Sequence, residues 1–262
     1  MKKFTIYSRT DNFSINAAQR IREELEANAW INDDVNPEFV IVIGGDGKVL
    51  RAIHRYLNQL DKTKFVALNT GTLGFLTDYN SKDVNLLIDD LLTKDYQEEK
   101  CHLLEVNYFY DDKKEQHFCV NELRVEHRFR TLEINVAIDN QDFEKTFGNG
   151  LCICSPLGST AYNRSLGGPL VERTIKAITI SEIAPINTRN IRTLLNPLIL
   201  DETHKISLES QYFESAYIGI DYYSIKKPKA GKIEVQLSPK CVNLIHFREN
   251  SFLKKIKEKF LD

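Results

Sequence analysis

The sequence lacks several features that would each indicate a class of protein. It has no excess of one charge, since 35 Lys and Arg stand against 37 Asp and Glu for a net charge of −2. Because sequence-independent binding to nucleic acid requires a basic surface, this balance argues against a nucleic-acid partner. No stretch approaches the roughly 18 apolar residues of a membrane-spanning helix, and polar residues interrupt the first positions, unlike a signal peptide. We therefore expect a cytoplasmic protein with no membrane partner.

Cysteine is also scarce, with five residues in 262: Cys101, Cys119, Cys152, Cys154 and Cys241. An odd number, scattered over a chain long enough to bury a sizeable core, argues against a disulfide framework. Cys152 and Cys154 have a spacing that strand alternation would place on one face, as in a metal-binding pair. Since no His cluster accompanies them, small apolar core residues are the preferred interpretation, with a metal pair as the alternative.

The first hundred residues alternate between strand and helix patterns. The run Phe39–Ile43 is wholly apolar, which is typical of a strand buried on both faces of a parallel sheet. Apolar residues at helical spacing precede and follow it, and a third helix is expected after an N-cap at Ser81. The predicted fold class for residues 1–99 is therefore an α/β domain, doubly wound and Rossmann-like.

Beyond about Lys100 the pattern changes to short strands separated by turn signals. A hairpin is predicted around the polar loop 111–115, and residues 100–247 are predicted to form a mainly β domain. In the tail, Phe252, Ile256 and Phe260 recur at four-residue spacing on a Lys-rich helix that begins near Ser251. We expect this helix, within residues 248–262, to return to the first domain.

A glycine-rich turn, Gly44-Gly45-Asp46-Gly47, follows the buried strand at the carboxyl edge where α/β sheets bind ligands. Glycine lets phosphates approach main-chain N–H groups, and the next helix directs its positive end to the same place. Asp46 would then either accept a proton from an attacking hydroxyl or hold Mg²⁺ on phosphate oxygens. The alternative without function is a tight turn with Asp46 as a helix cap. The G-x-G-x-x-G and G-x-x-x-x-G-K-[ST] motifs are absent, which argues against a hydride-transfer enzyme and a P-loop nucleotidase.

Two further segments carry polar side chains suited to a ligand. Asn121 and Glu122 lie in a strand-like run, where alternation sends them to opposite faces unless the strand ends or bulges there. The segment 148–169 runs from a strand through a small-residue turn into a helix start rich in hydroxyls and amides. Such groups suit an adenine or a ribose, and Tyr162 would either stack on a flat ring or fill the core.

Together, and in this order, the glycine turn, the run 71–76, Asn121-Glu122 and the segment 148–169 resemble the bacterial ATP-NAD kinases, also described as inorganic polyphosphate/ATP-NAD kinases. This family phosphorylates the 2′-hydroxyl of the adenosine ribose of NAD to make NADP. The G-G-D-G turn alone is unspecific, because diacylglycerol kinases, sphingosine kinases and phosphofructokinases carry similar turns. The long segment is the specific part of the match.

The resemblance implies a role for each matched position. Asp46 would be the general base, and Gly45 and Gly47 would let substrate phosphates approach. Asn121 would face the adenine and Glu122 the ribose hydroxyls. The dinucleotide pocket would be completed by Asn149, Ser155, Thr160, Ala161, Tyr162, Asn163, Ser165 and Ala184. Positive charge on the phosphates would come from candidates that include Arg51, Arg164, Arg189 and Arg192.

The resemblance also implies NAD and ATP as ligands, with polyphosphate as another possible donor, and Mg²⁺ or another divalent cation accompanying ATP. Ala184 matches a position at the nicotinamide end that is often shared across a subunit boundary, which implies a homodimer or a homotetramer. Several positions depart from the family pattern: Lys48, Phe147, Asn149, Leu157 and Tyr222. We expect an active kinase with altered affinity, and keep a lipid or sugar kinase and a non-catalytic dinucleotide sensor as alternatives.

Overall fold

The computed structural model describes residues 1–71, 74–225, 228–249 and 251–262. It divides into two compact units: unit 1 comprises Met1–Cys101 and Lys240–Asp262, and unit 2 comprises His102–Pro239. The segment that returns to unit 1 therefore begins at Lys240, inside a strand, and brings half of that strand as well as the C-terminal helix. In the run 71–76, Thr72 and Leu73 lie outside the described residues.

The strands are named in chain order. They are β1 (Lys3–Ser8), β2 (Ile31–Asn32), β3 (Phe39–Ile43), β4 (Lys64–Leu68), β5 (Gln97–Tyr110), β6 (Lys113–Cys119), β7 (Glu122–Glu126), β8 (Leu132–Ile138), β9 (Gln141–Gly148), β10 (Gly150–Cys154), β11 (Ala177–Ile183), β12 (Leu198–Asp201), β13 (Lys205–Ser210), β14 (Tyr217–Ile220), β15 (Tyr223–Ser224) and β16 (Gly231–His246). The α-helices are α1 (Asn12–Ala27), α2 (Asp46–Arg55), α3 (Val84–Thr93), α4 (Tyr162–Ser165) and α5 (Phe252–Phe260).

Unit 1 is built on a parallel sheet in the order β2-β1-β3-β4-β16, in which every described pairing is parallel. All five residues of β3 are buried, as its apolar run predicts. Helices α1 and α3 bury their apolar stripes in one cluster with alternate residues of β3, Phe39, Ile41 and Ile43. Helix α2 packs on β1 and β3. The prediction of an α/β first domain is confirmed.

The C-terminal helix belongs to unit 1. Ser251 is its N-cap, since the Ser251 hydroxyl oxygen accepts a hydrogen bond from the Lys254 N–H at 3.3 Å. The aromatic rings of Phe260 and Phe75 lie 5.1 Å apart between centroids. The expected return of this helix to the first part of the chain is thus confirmed.

Unit 2 packs two sheets around one apolar core. One sheet contains β5, β6, β8, β9, β13 and the first half of β16, and the other has the order β12-β11-β10-β7-β14-β15. Alternate residues of both sheets share the core, among them Val106 of β5, Ile134 of β8, Leu123 of β7 and Ile153 of β10. The mainly β character predicted for this part of the chain is confirmed.

Two local predictions are corrected, and one strand was missed. The N-cap of α3 is Asp83, not Ser81, and the Asp83 carboxylate accepts the Asn80 N–H at 2.9 Å instead of capping the helix. The predicted loop 111–115 is shorter, because Asp111 adopts a left-handed backbone (φ 47°) and β6 already begins at Lys113. Strand β9 was not predicted, since it is a sheet edge with mostly exposed, polar residues.

Within the described residues, no helix is both long enough and apolar enough to cross a membrane.

Candidate functional site

The candidate residues fall into two sets, one in each unit. In unit 1 the glycine turn connects β3 to α2. Only Gly44 needs to be glycine for the fold, because its φ is 152° and a Cβ there would lie 2.8 Å from the Cβ of Lys48. A Cβ on Gly45 would come no closer than 3.8 Å to another atom, and one on Gly47 would meet nothing within 4 Å. The missing side chains at Gly45 and Gly47 therefore leave open space beside the N-terminus of α2, an arrangement typical of phosphate sites.

Asp46 is the first residue of α2, and its carboxylate is bound by the segment that follows β4. Its Oδ2 accepts the Phe75 N–H at 2.8 Å and its Oδ1 accepts the Leu76 N–H at 2.9 Å. A Cβ on Gly74 would lie 2.2 Å from Oδ1, so only glycine allows this close approach. The side chain of Asp46 remains 31% exposed. The interpretation of Asp46 as a helix cap is wrong, because Gly45 is the N-cap and no side chain caps α2.

Positive charge surrounds the glycine turn. The Lys259 ammonium lies 3.9 Å from Asp46 Oδ2 and 4.6 Å from the centroid of the Phe75 ring. Lys48 lies over the Tyr7 ring at 4.3 Å. Partial burial, together with the charges of Arg51 and Arg9, lowers the pKa of the Lys48 ammonium. Cations that repel one another at the carboxyl end of β1 and the start of α2 favour a polyanion as the ligand.

No group of three His, Cys, Asp or Glu side chains suitable for a metal ion occurs among the described residues. Mg²⁺ at phosphate sites is typically held by one or two carboxylates, by phosphate oxygens and by water. Asp46, a single partly exposed carboxylate, fits that arrangement only when a nucleotide supplies the other oxygens.

In unit 2, Asn121 and Glu122 lie at a break between strands, because β6 ends at Cys119 and β7 begins at Glu122. The backbone of this break is bound by a residue that sequence reasoning did not single out. The buried Asp221 carboxylate accepts three consecutive N–H groups, those of Val120 (2.8 Å), Asn121 (2.7 Å) and Glu122 (3.1 Å). Asp221 has φ 49°, a left-handed conformation that Asp tolerates better than most residues. The sequence indicated this role of Asp221 only by placing an Asp directly after a short predicted strand.

Glu122 is 6% exposed, and its Oε2 is buried without a hydrogen-bond partner. Burial, and then the nearby Asp221 charge, raise the pKa of the Glu122 carboxyl to about 7, against the opposing effect of Arg124. The Arg124 Nε lies 3.9 Å from Glu122 Oε1. A buried carboxylate oxygen without a partner is costly unless a ligand donates to it, and a ribose hydroxyl is such a donor.

Tyr162, at the start of α4, lies on the same side of β7 and β10 as Glu122. The Arg124 guanidinium lies 5.0 Å from the centroid of the Tyr162 ring. The ring packs on a small cluster formed by Cys152, Cys154 and Ile183. Both cysteines are free and buried, and burial raises the pKa of the Cys154 thiol to about 12. The interpretation of this pair as small core residues is confirmed.

Other residues of the segment 148–169 differ in exposure. Thr160, Ala161 and Ser165 remain partly or fully exposed, whereas Ser155 and Asn163 are completely buried. The Ser155 hydroxyl donates to Val120 O at 2.5 Å and accepts the Gly158 N–H at 3.3 Å. Asn163 accepts from the Ser181 hydroxyl at 2.7 Å through its side-chain oxygen. The buried side chains of Ser155 and Asn163 therefore stabilise the backbone of the segment that carries the exposed residues.

Near the start of the segment, the side-chain amide of Asn149 donates to His127 O at 2.8 Å. This side chain therefore links the backbone at residue 149 to the backbone at residue 127. Ala184 is exposed and has φ 45°, beside Gly148, where a Cβ would lie 2.9 Å from Ala184 O. The three remaining arginine candidates are exposed: Arg164, Arg189 and Arg192.

Comparison with known proteins relates both parts of the chain to one family. The model of the ATP-NAD kinase N-terminal domain matches residues 2–96, and that of the ATP-NAD kinase C-terminal domain matches residues 121–247. The chain belongs to the ATP-NAD kinase family. The resemblance found in the sequence is confirmed, and membership makes the chain a phosphotransferase with an alcohol group as acceptor.

Relatives in the ATP-NAD kinase family match over almost the whole chain. NAD kinase 1 of Bacillus anthracis is 36% identical over 261 residues, covering 99% of this chain and 98% of the relative. NAD kinase of Staphylococcus carnosus is 33% identical over 262 residues, with 99% and 97% covered.

Two solved structures share the ATP-NAD kinase fold. Yeast NADH kinase complexed with NADH has a TM-score of 0.83 at 18% identity, covering 99% of this chain and 87% of that chain. An NAD kinase from Archaeoglobus fulgidus in complex with ATP has a TM-score of 0.74 at 21% identity, with 99% and 97% covered.

Proposed function

We propose that this chain transfers the γ-phosphoryl group of ATP to the 2′-hydroxyl of the adenosine ribose of NAD, giving NADP and ADP. The observation that carries the proposal is the Asp46 carboxylate, which is partly exposed, bound by two peptide N–H groups and adjacent to open glycine positions. A carboxylate beside a phosphate site is costly unless it takes part in the reaction.

Asp46 acts as the general base. As the 2′-oxygen of the ribose attacks the γ-phosphorus, its proton passes to the Asp46 carboxylate. The new O–P bond forms while the bond from the γ-phosphorus to the β,γ-bridging oxygen breaks, and ADP leaves with that electron pair. The N–H groups of Phe75 and Leu76 keep the carboxylate in one orientation before the nucleotides bind.

Unit 2 binds the dinucleotide. Glu122 Oε2, buried and without a partner, accepts a hydrogen bond from a ribose hydroxyl, and Asn121 binds the adenine. Tyr162 offers an aromatic ring for stacking, with Arg124 against it. Thr160, Ala161 and Ser165 form the exposed wall of this pocket, and Asp221, Ser155 and Asn163 position it.

The phosphates of the donor bind at the glycine turn. Gly45 and Gly47 provide the space, the N-terminus of α2 provides N–H groups, and Arg9, Lys48 and Arg51 provide positive charge. Mg²⁺, held mainly by the donor phosphates, neutralises charge on the transferred group when it is bound. Polyphosphate presents the same chemistry to these residues as ATP does.

The assay incubates purified protein with NAD, ATP and MgCl₂ and measures NADP, comparing the wild type with Asp46→Ala and with the matched control Asp61→Ala, at an exposed aspartate of the same unit. We expect NADP from the wild type and the control, and a loss of about 10²–10⁴ in rate for Asp46→Ala. Tight NAD binding without turnover would indicate a dinucleotide sensor instead. Phosphorylation of a lipid or sugar alcohol in place of NAD would indicate the other kinase class.

Assembly as a homodimer or homotetramer and a cytoplasmic location remain predictions from the sequence. The exposed, left-handed Ala184 is the position at which a second subunit would complete the dinucleotide pocket.

A further inference from the structure

We infer that Lys255, on the C-terminal helix, is a positioning residue that orients the Asp46 carboxylate through the peptide group between Phe75 and Leu76. The inference rests on the proposed role of Asp46 and adds a residue that lies 180 positions after Phe75 in the sequence and that no motif indicated.

Lys255 is 7% exposed, which is unusual for a lysine, and its ammonium group uses all three of its protons. It donates to Phe75 O at 3.0 Å, to Thr77 O at 3.0 Å and to Asp78 Oδ1 at 2.8 Å. A buried ammonium group that makes this full set of bonds holds the segment 75–78 in one conformation, because releasing any acceptor leaves a buried charge less well solvated.

The connection to Asp46 is a single peptide group. In a trans peptide the C=O and the N–H point in opposite directions in one plane, and no cis peptide bond occurs among the described residues. The carbonyl of Phe75 points to Lys255 while the N–H of Leu76, in the same peptide, points to Asp46 Oδ1 at 2.9 Å. Lys255 therefore determines the direction of one of the two hydrogen bonds that hold the carboxylate.

The charge on Lys255 also strengthens this bond. A cation that binds the carbonyl oxygen of an amide polarises the amide and makes its N–H a better donor. The remaining contacts of the helix reinforce the arrangement, since Phe260 packs on Phe75 and Lys259 pairs with Asp46 from the next turn. Loss of Lys255 would let the peptide rotate and the carboxylate change its rotamer, which misplaces the proton acceptor.

The test compares Lys255→Met, which keeps the length and removes the charge, with Lys255→Arg, which keeps the charge and the donors. The matched control is Lys254→Met, at a lysine on the same helix whose side chain is 71% exposed. Steady-state kinetics with NAD, ATP and MgCl₂ at 25 °C are measured alongside urea unfolding. Lys255→Met is expected to lower kcat by about 10- to 100-fold with the KM for NAD within threefold. Lys255→Arg is expected to recover most of the rate, and the control to match the wild type.

A double-variant comparison separates positioning from general loss of structure. If Lys255 acts through Asp46, then Lys255→Met in an Asp46→Asn background lowers the residual rate by less than threefold, because the group it orients is gone. An equal further loss in that background would overturn the inference, as would a folded Lys255→Met enzyme with kcat within twofold of the wild type. If Lys255→Met does not fold, Lys255→Gln, which retains a donor to one carbonyl, is measured in its place. A normal rate for Asp46→Asn alone would instead contradict the proposed role of Asp46.

Discussion

At the scale of single residues, the glycines of the turn differ in what they do. Gly44 is needed by the fold, as is Gly74 in the segment after β4, since a Cβ on either would lie closer than 3 Å to a neighbouring atom. Gly45 and Gly47 have room for a side chain and no need for an unusual backbone. Packing therefore does not explain why these two positions lack a side chain, whereas the proposed phosphate ligand does.

Gly47→Ala should separate the two explanations. Because Gly47 is inside α2 with nothing within 4 Å of the added methyl group, the variant should be more stable in urea by roughly 0.5–1 kcal/mol. The same methyl group lies where the donor phosphates approach, so the KM for ATP should rise about tenfold. Gly71→Ala, whose Cβ would meet nothing closer than 3.9 Å, is the control for an added methyl group. A stable Gly47→Ala enzyme with an unchanged KM for ATP would argue against phosphate binding at this turn.

Glu122 gives a prediction for stability against pH. Its pKa is about 7 in the folded protein, above the 4.5 of an ordinary glutamate, so the folded state holds the proton more tightly than the unfolded chain does. The charged side chain therefore lowers the free energy of unfolding above pH 7, and this cost disappears as the pH falls towards 4.5. Glu122→Gln removes the charge and should stabilise the protein by up to about 3 kcal/mol at pH 8, with little effect at pH 4.5.

Urea unfolding of the wild type and Glu122→Gln at both pH values measures this effect. Glu172→Gln, at an exposed glutamate of the same unit, is the reference against which the pH dependence is compared. A stability difference between wild type and Glu122→Gln that is the same at pH 4.5 and pH 8 would show that the carboxyl is not shifted by burial.

Much of the candidate site could be predicted from the sequence because its residues occur in short local motifs. Asp46 and Glu122 lie in such motifs. Asp221 and Lys255 do not, since they act on backbone groups 101 and 180 residues away, and only the folded chain brings them there. The internal hydrogen bonds of Ser155 and Asn163 could not be predicted from the sequence pattern either. A hydroxyl or amide that binds a ligand cannot be distinguished in the sequence from one that stabilises a turn.

At the scale of elements, β3 was predictable from its continuous apolar run, and α1 and α5 from apolar residues at helical spacing. The start of α3 and the strand β9 were not, because side chains that bond to nearby backbone move a cap, and a polar edge strand has no buried face to produce alternation. Sequence patterns therefore predict the first and last residues of an element least accurately where those residues are exposed.

The end of β16 carries a second pH-dependent contact. His246 donates from Nδ1 to Asp78 and pairs through Nε2 with Glu99 at 3.0 Å, while Lys255 also faces Asp78. Burial alone would lower the pKa of His246, but the hydrogen bonds to Asp78 and Glu99 raise it above 6.5. The charged imidazole therefore contributes stability that is fully present below pH 6.5 and is lost as the pH rises through the raised pKa.

His246→Gln should accordingly cost more stability at pH 6 than at pH 9. Hydrogen bonds to charged groups contribute roughly 1.5–3 kcal/mol, so we expect a loss of about 2 kcal/mol at pH 6 by urea unfolding. His54→Gln, on α2 and away from this contact, is the matched control. An equal loss at pH 6 and pH 9 would show that the contact does not depend on the imidazole charge.

At the scale of the whole molecule, the proposed function divides the tasks of an NAD kinase between two units with different folds. The parallel sheet of unit 1 presents Asp46, the open glycine turn and a set of cations, all suited to phosphoryl transfer. The two packed sheets of unit 2 present Glu122 and Tyr162, suited to a dinucleotide. A net charge of −2 is compatible with polyanionic ligands because Arg9, Lys48 and Arg51 lie close to one another beside the glycine turn.

The most direct test of this account is the rate of NADP formation by Asp46→Asn, measured together with NAD binding by calorimetry. Asparagine keeps the size of the side chain and one acceptor for the Phe75 and Leu76 N–H groups, but it does not accept a proton. The account predicts that kcat falls by about 10²–10⁴ while the Kd for NAD stays within threefold of the wild type. A fall of less than tenfold in kcat would contradict the assignment of Asp46 as the general base.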